Sequence, residues 1–241
     1  MKKPTISTII LIIVIAIIGL YALGEVDYYS MKITTERNVD SPVITIPAIG
    51  LSEKINNISL SQGVYRQIDT YTPDTGDVVL YGHRTLQGSP FLRLDQVNKG
   101  DELVVEWPEI GELKYTVTNK EIVPANYQLT TVQGGHKLFL VTCDPIGSTA
   151  NRLIIEGELS SQGPIQEQII KDNPQEYYGL IIATLFLIGG LIFSWFYSKD
   201  NRIYLIVTVL IISAIIFYFY LFPIPPDIIF SKIGFLNGEF A

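Results

Sequence analysis

Three long apolar runs constrain this chain before any other feature does. Residues 5–24 carry no charge, and about 20 apolar residues let a helix cross the hydrocarbon core of a bilayer. Residues 177–197 and 203–222 form two further runs, separated only by Ser198-Lys199-Asp200-Asn201-Arg202. So short a segment cannot fold as a domain, and the last two runs are expected to form a helical hairpin. Such a chain lies part in lipid and part in water. Only the interval between the first two runs is long enough for a soluble core.

Flanking charges set an expected orientation. Lys2 and Lys3 precede the first run, while Glu25 and Asp27 follow it. Basic flanks stay in the cytoplasm, so residue 25 onward is expected outside. Lys199 and Arg202 mark the hairpin turn as cytoplasmic, in agreement. The first run is read as an uncleaved anchor, because it exceeds a usual signal-peptide apolar region and shows no A-x-A cleavage site. Tyr177, Tyr178, Trp195, Tyr197 and Tyr204 fall where aromatic belts form. None of the runs has a charged residue in its interior, which suits anchors better than an ion pathway. The expected organisation is an anchor at 1–24, a stalk at 25–41, a soluble domain at 42–160, a linker at 161–176, a membrane hairpin at 177–222 and a tail at 223–241.

Within 42–160 the texture is that of short strands. Residues 43–47, 77–82, 102–106, 113–117, 121–123, 137–142 and 152–158 are rich in Val, Ile, Tyr and Thr and are broken by Gly, Pro and Asn, the pattern of strands joined by tight turns. Seven or eight strands in so short a domain predict a small β-barrel or sandwich. Residues 90–94 are expected to make a brief helical turn.

Composition excludes several classes of function. The net charge is −7, and without a clustered basic face nucleic acid is not an expected partner. One cysteine allows no intrachain disulfide, and two histidines leave too few ligands for a Cys/His metal centre. Glu106, Glu109 and Glu112 are conceivable calcium ligands, but no loop has EF-hand spacing. No metal and no cofactor are expected.

Cys143 ends an apolar strand just before Asp144-Pro145, where a strand must stop. A lone cysteine is most often a small buried hydrophobe, yet a thiol at a strand end sits where reactive thiols occur. His83 occupies a similar strand end, and histidine is the natural proton partner of a thiol near neutral pH. His136 opens the Cys143 strand, about 20 Å from the thiol by strand rise, and is expected at the surface. Arg152 opens the next strand. Antiparallel pairing would set it beside Cys143, where a guanidinium donates to an oxyanion and cannot act as a base. A lone arginine read by itself is a surface charge.

Three segments together carry a resemblance. Gly76-Asp77-Val78-Val79-Leu80-Tyr81-Gly82-His83-Arg84, Leu140-Val141-Thr142-Cys143-Asp144-Pro145 and Asn151-Arg152-Leu153-Ile154-Ile155-Glu156-Gly157 are similar, in order and context, to the motifs of the sortases, membrane-anchored cysteine transpeptidases. Ile46-Pro47-Ala48-Ile49-Gly50-Leu51 resembles that family's first strand. The resemblance spans roughly 42–160. It implies a mainly β fold, an eight-stranded sortase-like barrel, carried here with one N-terminal and two C-terminal transmembrane helices. It implies His83, Cys143 and Arg152 as catalytic residues, with Thr142 and the loop 124–135 as candidates for substrate contact. Phe139 stands where the family's Thr-Leu-x-Thr-Cys has Thr, and it is expected to point away from the site. The stalk lacks the Asp-Pro-aromatic lid of pilus-building members, which argues against pilin polymerisation.

The implied reaction is cleavage of an Leu-Pro-x-Thr-Gly-like C-terminal sorting signal on a secreted protein. The acyl-enzyme then passes to an amine on a cell-surface polymer or protein. The expected setting is the cell membrane, crossed several times, with the catalytic domain outside. Two other readings use the same residues differently: a membrane-anchored thiol hydrolase that ends in water, and a non-catalytic surface assembly module with an inert Cys143.

Overall fold

The computed structural model describes residues 4–36, 41–68, 70–85, 88–165, 177–226 and 228–229. The chain divides into two compact units, one of Met1–Arg37 with Pro174–Ala241 and one of Asn38–Asn173.

The first unit is helical. Helix α1 runs Ile6–Glu36, α2 Tyr178–Phe196 and α3 Arg202–Leu221. Each contains a stretch long and apolar enough to cross a membrane. Helix α1 continues as one helix through residues expected to form a stalk. The three helices pack on one another, with glycines at the closest approaches. A Cβ on Gly19 would lie 2.5 Å from Ile212, and one on Gly190 would lie 2.7 Å from Val209. Apolar helices gain little from hydrophobic burial in lipid, so such small-residue contacts let backbones approach and gain dispersion energy. At one end of the bundle the Tyr197 hydroxyl meets Ser7 and Thr8, and Arg202 lies 4.8 Å over the Trp195 ring. Towards the other end Asp27 accepts the Ile224 amide at 2.9 Å. The expected linker and tail lie largely outside the described residues.

The second unit is a closed barrel of eight strands. These are β1 (Val43–Ile46), β2 (Leu51–Asn56), β3 (Val64–Arg66), β4 (Val78–Tyr81), β5 (Glu102–Trp107), β6 (Gly111–Pro124), β7 (Lys137–Asp144) and β8 (Asn151–Gly163). They close in the order β1-β2-β3-β4-β7-β8-β6-β5. Only the β2–β3 and β4–β7 pairs are parallel. Strand side chains alternate between two faces, and the inner set fills the barrel: Ile44, Ile46, Leu80, Leu103, Leu138, Leu140, Leu153 and Ile155 are all almost fully buried. The ring is narrowest at β3, which joins β2 and β4 through two residue pairs each.

Several elements differ from the pattern read in the sequence. The runs 113–117 and 121–123 are one strand, β6, with register shifts that let it stay paired with β8 across the polar residues between them. Strand β8 continues through 161–163, expected as linker, because Glu112–Lys114 of β6 extend beside it. Strands β2 and β3 are additional. Residues 94–96 form a short 3-10 turn, close to the helical turn expected there.

Candidate active site

Two parallel strands end side by side. Val78, Val79, Leu80 and Tyr81 of β4 pair with Leu138, Phe139, Leu140 and Val141 of β7. The Gly82 amide donates to the Val141 carbonyl at 3.2 Å and carries the ladder one step on. The same register then sets His83 opposite Cys143. On the other side of β7, Cys143 pairs directly with Arg152 of β8. Continued in this way, the register aligns His83, two residues past the end of β4, with Cys143 and Arg152 across three neighbouring segments, the spacing between paired strands being about 4.8 Å.

Alternation decides which face the row occupies. Val79, Phe139, Val141 and Ile154 pack together with Val123, Tyr81 and Leu129 on the outer face of the sheet. Cys143 follows Phe139 and Val141 at intervals of two, and Arg152 precedes Ile154 by two, so both belong to that face. Phe139 is therefore on the same side as the thiol, contrary to the expectation from sequence. The cause is the strand period itself, since 139 and 143 are four residues apart.

The outer face is a groove. A cavity of about 490 Å³ is lined by Tyr81, Val123, Val141, Arg152 and Ile154 from the strands and by Ala125, Tyr127, Gln128 and Leu129 from the β6–β7 loop. That loop is tied down by one buried carboxylate. Asp77, 3% exposed, accepts the Val132 amide at 2.9 Å and the Lys137 amide at 3.0 Å. Its own amide donates to the Val132 carbonyl. Gly135 crosses directly above this carboxylate, where an added Cβ would come within 2.0 Å of Asp77 Oδ1. No other residue type fits without moving the loop.

Cys143 is half-buried. Burial pushes the His83 imidazole down to about 4, because a charged ring is poorly solvated there. His83 is therefore neutral at physiological pH. Arg152 donates through Nη1 to the carbonyls of Thr149 and Asn151 at 3.0 and 3.1 Å. It makes no ion pair among the described residues, so a charged guanidinium lines the groove with no counter-charge.

Thr142 lies on the opposite face from Cys143. It is buried, and its hydroxyl donates to the Gly82 carbonyl at 2.7 Å. It faces the barrel interior, and the groove lies beyond the strand from it. His136 is exposed at the far end of β7.

Sequence reading passed over Asp77 and Arg84 as chemistry, although both stand inside a quoted motif. Nothing local marks a carboxylate as an acceptor for amides more than 50 residues away. Gly82 carried a readable signal, as a glycine between a strand and a histidine. The buried Phe91 ring lies against it, 2.5 Å from where a Cβ would be.

Among the described residues no group of three or more His, Cys, Asp and Glu could hold a metal ion. Glu106 and Glu112 are cross-strand neighbours on β5 and β6. Burial, and then the Glu112 charge, push the Glu106 carboxyl up.

Of the three, Arg152 lines the cavity, whose wall is mixed polar and apolar, while Cys143 and His83 are not among its lining residues. A thiol, a neutral imidazole and a guanidinium aligned in this way are a set suited to acyl transfer. In such a set a thiol can supply a nucleophile, an imidazole can carry a proton and a guanidinium can receive developing negative charge. The family profile described as Sortase domain matches residues 34–160, over half of the chain. Similar solved structures include sortase C-1 from Actinomyces oris, 30% identical over 52% of this chain and 75% of that one, with a TM-score of 0.46. Sortase C1 from Streptococcus agalactiae is 26% identical over 50% and 67%, with a TM-score of 0.45. A pilus-related sortase C of Group B Streptococcus is 24% identical over 51% and 68%, with a TM-score of 0.46. A search of curated proteins found no match.

Proposed function

Because this chain belongs to the sortase family, we propose that its cysteine transpeptidase chemistry runs through Cys143, His83 and Arg152 on an Leu-Pro-x-Thr-Gly-like sorting signal. The observation that carries the reading is the row itself: His83 opposite Cys143 by continuation of the parallel β4–β7 register, and Cys143 paired with Arg152.

The steps follow from the residues. Neutral His83 takes the Cys143 proton as the sulfur attacks the scissile carbonyl carbon of the substrate. The carbonyl oxygen becomes an oxyanion, and the Arg152 guanidinium stabilises it. The imidazolium then gives its proton to the leaving amine as the C–N bond breaks, leaving a thioester on Cys143. An incoming surface amine loses a proton to His83 and attacks the thioester. The new amide forms, and the thiolate leaves and regains its proton. Thr142 serves this sequence indirectly, by fixing the backbone that carries His83.

The setting proposed is a multi-pass anchor with the barrel outside the cell. Supporting it, the Tyr197 contacts bring the start of α1 and the α2–α3 turn to the same end of the bundle. Those are the two places where the basic residues cluster. The partners proposed are secreted proteins bearing a sorting signal, and an amine on a surface polymer or protein.

The test is product analysis by mass spectrometry. The full chain in detergent receives a sorting-signal peptide with and without an oligoglycine acceptor. A thioester on Cys143 and an amide product that needs the acceptor are expected, and Cys143→Ala should yield neither. Cleavage to the free acid at the same rate with and without acceptor would identify a hydrolase. No labelling of Cys143 at all would point to the assembly module.

A further inference from the structure

Arg84 is the only Lys or Arg among the described residues that is buried, at 4% exposed. It follows His83 in sequence but turns to the other side of the sheet. There Nη1 donates to Asp144 Oδ1 at 2.8 Å and reaches the Cys143 carbonyl at 3.4 Å. Nη2 pairs with Asp95 Oδ1 at 2.7 Å, and Nε reaches the Leu92 carbonyl at 3.5 Å. One guanidinium thus ties three segments: the exit of β4, the exit of β7 and the stretch around 92–95.

The position of these ties matters more than their number. On the near side of the row, the Thr142 hydroxyl bonds the Gly82 carbonyl. On the far side, Arg84 bonds the Cys143 carbonyl and Asp144. Between the two ties each strand has one residue, His83 on one and Cys143 on the other. Past Gly82 the His83 carbonyl accepts the amide of buried Phe91 at 3.0 Å, which holds it to the segment around 91 but not to β7. Among the described residues, the ties from the β4 exit to β7 beyond that point are those of Arg84. Proton transfer needs the imidazole within hydrogen-bond reach of the thiol, and a shift of about 1 Å can cost on the order of 10²-fold in rate.

We propose that Arg84 is a positioning residue that clamps the exits of β4 and β7 together from beneath the sheet and so holds His83 and Cys143 in proton-transfer register. This rests on the roles given above to His83 and Cys143. The plain alternative is a buried ion pair that only supports the fold.

A coupling experiment separates the two. Cys143 is the sole cysteine, so iodoacetamide alkylation of the full chain in detergent reports on it alone, whatever the natural substrate. Rates at pH 7 are compared for the wild type, His83→Ala, Arg84→Gln and the double variant. His83→Ala should slow alkylation by about tenfold in the wild type but by less than about twofold beside Arg84→Gln, a coupling within the range of contacting residues. With sorting-signal peptide, Arg84→Gln should lower kcat on the order of 10²-fold and leave KM within about twofold. Arg84→Lys should recover part of kcat, since it keeps the charge but not the fork.

An undiminished His83 effect beside Arg84→Gln overturns the proposal, as does wild-type kcat in that variant. Should Arg84→Gln not fold, the same cycle is run in Arg84→Lys. If neither folds, Arg84 is a residue of the fold and the proposal fails. A wild-type chain that alkylates normally but never cleaves the peptide counts against the proposed function, while the alkylation cycle still decides on Arg84.

Discussion

Cys143 and Arg152 are direct cross-strand partners on antiparallel β7 and β8. Cross-strand partners have Cα atoms about 4.5–5.5 Å apart, so a guanidinium on one can reach an oxyanion formed at the other. In the free protein the fork rests on the carbonyls of Thr149 and Asn151. Substrate has only to compete with neutral acceptors for it, and no carboxylate must be displaced.

Arg152→Ala is expected to lower kcat on the order of 10²-fold or more, the loss typical of a missing oxyanion donor. Arg152→Lys should recover only part of the rate, since an ammonium lacks the planar fork. Steady-state kinetics on a sorting-signal peptide measure both. A wild-type kcat in Arg152→Ala would remove this residue from the site.

The pH profile should carry the mark of a half-buried, poorly solvated imidazole. His83 is pushed down to about 4, so it stays neutral, and able to accept the thiol proton, as pH falls through 6. Activity should be lost only on protonation, with the acid limb of kcat/KM falling near pH 4 and not near the ordinary histidine value of about 6.5. His136→Ala should keep the wild-type profile. An acid limb at about 6.5 would mean that the imidazole is solvated in solution.

Asp77 offers a way to loosen the groove without touching the row. Asp77→Ala strands the amides of Val132 and Lys137, each bond to a carboxylate being worth about 1.5–3 kcal/mol. The β6–β7 loop that lines the groove loses its base. KM should rise about tenfold, with kcat within about twofold. Gly135→Ala should act in the same direction, because its Cβ would enter the space of the Asp77 carboxylate. A drop in kcat at constant KM would contradict this assignment.

Topology is open to labelling. In a Cys143→Ala background, a cysteine introduced as Asp200→Cys should react with an impermeant maleimide only after the membrane is opened. A reporter fused after residue 170 should be active outside the cell. Labelling of position 200 in intact cells would invert the arrangement and put the barrel in the cytoplasm.

Much of this architecture is legible in the residues, and the limits are physical. The three helices follow from apolar length alone, and most strands follow from β-branched runs between Gly and Pro. Strand β2 is harder to read, because Leu51, Glu53 and Ile55 alternate inward with polar neighbours, and a charged residue on the inward side hides the pattern. Strand β6 reads as two because Thr118, Asn119 and Lys120 interrupt its apolar side chains, although the backbone pairing with β8 continues past them. The row His83, Cys143 and Arg152 is suggested by strand ends, but its register depends on a parallel β4–β7 pairing that no local signal announces. Phe139 is the converse case: the period of two along β7 places it on the face of Cys143, whatever its position in the motif. Asp77 and Arg84 are invisible as ties, because the partners that join them to the other strand, Val132 and Lys137 for one and Cys143 and Asp144 for the other, are more than 50 residues away and a lone charge reads as solvated surface.

The alternation along β7 separates two kinds of constraint within a single strand. Leu138, Leu140 and Thr142 face inward and answer to the barrel, while Phe139, Val141 and Cys143 face outward and answer to whatever lies in the groove. Strands β4 and β8 divide in the same way, with Leu80, Leu153 and Ile155 inside and Tyr81, Arg152 and Ile154 outside. Substituting Tyr81, Val141 and Ile154 together would therefore reshape the cavity wall while the scaffold keeps its own hydrophobic interior. The shape of the outer surface and the packing of the interior rest on interleaved but separate sets of residues.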